Sequence, residues 1–150
     1  MNKLTRRELC ATLPALASIT TLAQDQTSAV SNPLSQSHAY PFDQMPARKM
    51  ANGGESRDVL RGTLPSGEVI NVHESSQPAG MQPNPAHTIN HTEVIVVIQG
   101  TLAFEHDGKT EKVGPGGVLY VASGTLHSVQ NVGDDTAKYC VVAIGGDTRK

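Results

Sequence analysis

The chain has 150 residues, enough for one domain but hardly for two. Its 12 basic and 14 acidic residues are well mixed, with no run of either sign, which argues against a nucleic-acid or membrane-surface partner. Trp is absent and Phe and Tyr are few, so the expected core rests on Val, Ile, Leu and Ala, and 14 Gly with 9 Pro tilt the composition toward sheet.

Residues 1–23 read as a signal peptide. Thr5-Arg6-Arg7-Glu8-Leu9 opens a charge-free, mildly apolar stretch that ends near Ala23. That stretch is shorter than the roughly 20 residues of a stable membrane span, so no lasting anchor is expected. Ala15-Leu16-Ala17 and Thr21-Leu22-Ala23 are both acceptable cleavage sites. The Arg6-Arg7 pair, with Thr5 before it and Leu9 after it, resembles the twin-arginine export signal, which implies a periplasmic or otherwise exported protein. An amphipathic cytosolic helix is the competing reading, and Pro14 speaks against it. Cys10 falls in this leader, so the mature chain keeps Cys140 alone and no internal disulfide is expected. Cys140 itself reads as a buried apolar filler.

Residues 24–50 are rich in Gln, Ser, Ala and Pro and read as a linker and N-terminal arm. Tyr40-Pro41-Phe42 and Met45 could dock on the body or on a partner subunit. From residue 51 to 150, short β-rich runs recur between turn signals, with no sustained helical period. Strands are expected at 59–64 and 68–74, then a proline-rich loop at 78–85, then strands at 93–99 and 101–106. Asp107-Gly108 is a hairpin signal leading into 109–113. Further strands are expected at 118–121, 127–132 and 136–144. The fold class is therefore all-β, and about ten strands without a helix suit a jelly roll.

Two constellations stand out in the body. The first contains Gly80, His87, Ile89, Glu93 and Gly100; the second contains Gly116, Ala122, Gly124, His127 and Asn131. In order and spacing they resemble the two motifs of the cupin superfamily, over roughly residues 55–145. The resemblance implies a double-stranded β-helix barrel and a metal site, and cupins commonly form a homodimer. It departs from the family at Ala122, where a Pro is usual, and at Ile89, where the second metal-binding His should stand.

The chemistry of the spacing can be argued separately. His87 at the end of a loop and Glu93 at the start of a strand can point to one mouth of a barrel. The Gly124 turn lets His127 reach the same point. Two imidazoles and a carboxylate suit a divalent ion, Fe(II), Mn(II), Ni(II) or Zn(II), with positions left open. His91 is a further candidate ligand if its loop bulges, and Glu93 is the candidate proton acceptor in catalysis. The alternative is a pair of hydrogen-bonded histidines in a metal-free barrel. His73 reads as solvent-facing or supporting, His38 and His106 as surface residues, and Gly100, Gly116 and Gly124 as turn formers only.

The function expected is that of an exported cupin that holds a divalent metal and acts on a small organic molecule. Dioxygenase, isomerase and lyase chemistry stay equally open. The competing class is a non-catalytic protein that binds a metabolite or a metal.

Overall fold

A computed structural model describes residues 33–146. The expected signal peptide, the expected linker up to residue 32 and residues 147–150 lie outside the described residues. Ten strands follow two 3₁₀ turns, Pro33–Ser35 and Phe42–Gln44. They are β1 (Arg48–Lys49), β2 (Glu55–Thr63), β3 (Val69–Gln77), β4 (His87–Thr88), β5 (Thr92–Gln99), β6 (Leu102–His106), β7 (Lys109–Val113), β8 (Val118–Val121), β9 (Leu126–Asn131) and β10 (Ala137–Ile144). No helix among the described residues is long and apolar enough to cross a membrane.

Every strand pairing is antiparallel, and the strands form two sheets. One has the order β1-β2-β3-β10-β5-β8 and the other the order β4-β9-β6-β7. Strands that neighbour in space but not in sequence, such as β3 with β10 and β6 with β9, make this a jelly roll. The all-β expectation is met.

The core follows strand alternation. Ile95 and Val97 on β5, Leu119 and Val121 on β8, and Tyr139 and Val141 on β10 turn inward. They meet Leu102 and Phe104 of β6 from the opposite sheet. Phe104 and Tyr139 thus join a core that composition assigned to aliphatic residues alone. On β5 only alternate residues are buried: Ile98, part of a run apolar on both faces, is 53% exposed on the outside. Cys140 also faces outward beside Glu74 and is half-buried, not a core filler, because its neighbours Tyr139 and Val141 take the inward positions.

Two elements differ from the sequence reading. β2 starts at Glu55, four residues earlier than expected, because its first inward residues, Ser56 and Asp58, are polar and break the apolar alternation. β4 was expected to be loop. Its two residues are strand only because β9 pairs with them.

Gly100 is more than a turn former. Its φ of 79° is left-handed, and a Cβ there would lie 2.8 Å from the Cα of Ala137. Asn131, the last residue of the second motif, is likewise structural. Its Nδ2 donates to the carbonyls of Gln77 and Asp135, and its backbone N–H donates to Gln77 Oε1. Gln77 Nε2 in turn donates to Val129 O and Tyr139 Oη. This buried network ties β3 of one sheet to β9 of the other.

The arm returns to the barrel. β1 extends the larger sheet by pairing with β2, and Arg57 of β2 lies over the Phe42 ring, 4.4 Å from its centroid.

Candidate functional site

Glu93 enters β5 facing inward, between Ala143 of β10 and Val121 of β8. His127 of β9 is 2% exposed, and its Cα is directly paired with that of His87 on β4. The two rings lie 4.6 Å apart, tilted by 48°, with His87 at the open mouth. The turn before β9 is built locally: Gly124 has a φ of 86°, and its N–H donates to Ile89 O at 2.8 Å. That bond fastens the turn carrying His127 to the segment carrying His87.

Both imidazoles have a fixed tautomer. His87 Nδ1 lies 3.2 Å from Pro85 O, and His127 Nδ1 lies 3.1 Å from Thr125 O. A carbonyl only accepts, so each Nδ1 carries a hydrogen, and in the neutral ring Nε2 is the nitrogen with the lone pair. This is the arrangement that orients a metal-binding histidine.

The Glu93 carboxylate sits between two histidines. Its Oε1 is 3.0 Å from His91 Nε2, and its Oε2 is 3.9 Å from His127 Nε2. His91 therefore reaches the carboxylate, while it does not line the barrel cavity. Ile89 packs into the apolar core at 9% exposure and also stays outside the cavity lining.

How well does a divalent ion fit these residues? Donor chemistry and tautomers suit it: two unprotonated Nε2 atoms and one carboxylate oxygen. Spacing is looser. Two ligands at about 2.1 Å from one ion and roughly at right angles stand about 3 Å apart, so the 3.9 Å pair has to close by a small side-chain movement. Among the described residues no three His, Cys, Asp or Glu side chains are already gathered tightly enough to hold an ion.

A cavity of about 270 Å³ opens onto Glu93, His87 and His127. The lining from β2 and β3, in the same sheet as Glu93 and across from the sheet that carries His87 and His127, is polar, with Ser56, Asp58, Arg61, Asn71, His73 and Ser75. His73 thus faces the cavity, not the solvent. Burial lowers its pKa; the Glu93 and Asp58 carboxylates pull it up, and Arg48 and Arg61 push it further down. The net direction keeps its imidazole neutral at neutral pH. Burial likewise raises the Tyr139 pKa, so its hydroxyl stays protonated.

Sequence reasoning missed this polar wall. One signal was present: Asn71, His73, Ser75 and Gln77 are polar at a period of two, which puts them on one face of β3. A second was not. The register of β2 against β3 shifts between Asp58 and Leu60. Strict alternation from Asp58 would turn Leu60 inward and Arg61 outward. The bulge reverses this and brings Arg61 to the cavity.

With this geometry, comparison with known proteins is informative. Residues 72–143 match the cupin domain family. The matched stretch contains His73, His87, Glu93 and His127 and omits β1 and β2. No curated protein sequence matches the chain. Among solved structures, KdgF from Halomonas sp. superposes with a TM-score of 0.63 at 14% identity, over 75% of this chain and 97% of that one. The polyketide cyclase RemF from Streptomyces resistomycificus gives 0.59 at 16% identity, covering 77% and 88%. A predicted oxalate decarboxylase from Thermotoga maritima gives 0.55 at 18% identity, covering 71% and 98%. These similarities show that the fold is a cupin jelly roll.

Proposed function

We propose that the protein is an exported cupin that holds one divalent metal ion through His87, Glu93 and His127 and acts on a small organic molecule. The observation that carries this reading is the pair of Nδ1 contacts from His87 and His127 to backbone carbonyls, beside an inward carboxylate. Such a contact also satisfies a buried histidine, and in the neutral ring it leaves Nε2 available to a ligand. When bound, the ion supplies Lewis-acid polarisation of a substrate oxygen.

The remaining chemistry belongs to the chain. Glu93 turns Oε2 toward His127 as the oxygen that would hold the ion, and Oε1, held by His91, keeps a further lone pair able to accept a substrate proton. His91 acts through Glu93 by holding its carboxylate. Neutral His73, on β3 in the cavity lining, is a second group able to exchange a proton with a bound molecule. A polyketide cyclase and a predicted oxalate decarboxylase share the fold, which is compatible with several reaction types.

A second reading is favoured by one observation, the lack of a tight three-residue donor group among the described residues. In that reading the barrel binds a metabolite without turning it over. Metal analysis of protein purified without added metal separates the two. About one equivalent of a transition metal per chain supports the first reading, and none supports the second.

Export and pairing complete the proposal. The Arg6-Arg7 motif supports export, and its replacement by two lysines should trap the protein inside the cell; unchanged export would refute a twin-arginine route. Exposed Ile98, Val118 and Tyr120 on the outer face of β5 and β8 support a homodimer, and a monomer by light scattering would count against it.

A further inference from the structure

The cavity wall formed by β2 and β3 is built for a ligand of a particular kind. Arg61 and Asn71 are register partners on adjacent strands and both line the cavity. Arg48, from the arm strand β1, stands at the same mouth. A guanidinium presents a planar fork of N–H donors, which matches the two oxygens of a carboxylate. The Asn71 side-chain oxygen is buried and has no hydrogen-bond partner. Asn71 lines the cavity, and a turn of its amide would bring this covered acceptor to a donor on whatever occupies it.

Two further observations narrow the class. At about 270 Å³ the cavity falls just below the roughly 300–1,000 Å³ range of ligand pockets, so the ligand is small. Its ionised lining groups are Arg48 and Arg61 against Asp58 and Glu93, which cancel. A divalent ion at His87, Glu93 and His127 leaves the site two charges positive, and that surplus selects an anion. The β-bulge between Asp58 and Leu60 is the backbone device that brings Arg61 inward, and bulges commonly re-aim a side chain at a site.

We propose that the barrel cavity binds a small hydroxycarboxylate, its carboxylate held by Arg61 and Arg48 and its hydroxyl donating to the amide oxygen of Asn71. The ligand's opposite end then lies toward Glu93 and His127. This inference rests on the metal reading for its charge surplus, while the Arg61 and Asn71 contacts belong to the chain itself.

The test is calorimetric titration of the full chain, zinc-loaded and chelator-treated, with malate, with succinate as the same acid lacking the hydroxyl, and with inorganic phosphate. Metal stoichiometry is measured on every sample. Malate is expected to bind the loaded protein about tenfold or more tightly than succinate. Arg61→Gln should weaken malate about tenfold or more with unchanged metal content, and Asn71→Ala should abolish the preference for malate over succinate. Arg61→Lys should restore only part of the affinity. Equal affinity for malate and succinate, phosphate binding as tightly as malate, an unaffected Arg61→Gln variant, or no malate binding at millimolar concentration would each overturn the proposal. Malate binding that persists after the chelator has removed all metal would leave the Arg61 and Asn71 contacts standing without the ion, and failure of the zinc-loaded sample to retain metal would refute the metal reading instead.

Discussion

His87 and His127 are direct cross-strand partners, and their rings lie 4.6 Å apart because β4 pairs with β9 at that residue. A strand of only two residues thus decides whether the chain has one histidine at the barrel mouth or two. Its hold comes from the neighbouring Gly124 turn, whose N–H donates to Ile89 O.

Ile89 anchors this segment through its side chain. It packs in the core, so Ile89→His should bury an imidazole among apolar groups and destabilise the fold by about 2–4 kcal/mol. Urea unfolding measures this directly. If added metal fully restored the stability of the variant, position 89 would reach the ion, and the core assignment would be mistaken.

Asn131 should separate fold from site. Asn131→Ala removes two donors and the acceptor for Gly133 N–H from the buried network, for a loss of roughly 2–4 kcal/mol. Metal content of the folded variant should match that of the wild type. A drop in metal content at unchanged stability would contradict the structural role.

Cys140 offers a pH-dependent readout. Burial raises its thiol pKa, and the Glu74 carboxylate beside it raises it further. Less thiolate is present at a given pH, so alkylation by iodoacetamide should be slow at pH 8 and rise with pH later than for a free thiol of pKa about 8.5. Glu74→Gln should move that rise to lower pH. A rate at pH 8 equal to that of a free thiol would show that the side chain is neither shielded nor repelled.

The parts of this architecture that were legible from sequence are those set by local chemistry. Gly116, Gly124, His127 and Asn131 keep the spacing of two turns and two short strands, and Asp107-Gly108 marks its hairpin with both residues at positive φ. Other parts depend on partners that no local pattern announces. β4 has two residues and exists through β9. The inward position of Arg61 depends on a bulge against β3, which periodicity from Asp58 gets backwards. Asn131 fits a family motif, yet its role appears only when Gln77, 54 positions away, is placed beside it. His91 is a candidate ligand if its loop bulges; in the fold its Nε2 lies 3.0 Å from Glu93 Oε1, and it does not line the barrel cavity.

The central claim is that a divalent ion sits between His87, Glu93 and His127, and metal stoichiometry by mass spectrometry, under competition from a chelator, tests it most directly. Wild-type protein should retain about one equivalent, and His127→Ala should retain essentially none, because one of three ligands is gone. His91→Ala should still bind one equivalent, with affinity lowered about 10–100-fold, since it only holds the Glu93 carboxylate. Equal retention by wild type and His127→Ala would contradict the account, because the ion would then lie elsewhere.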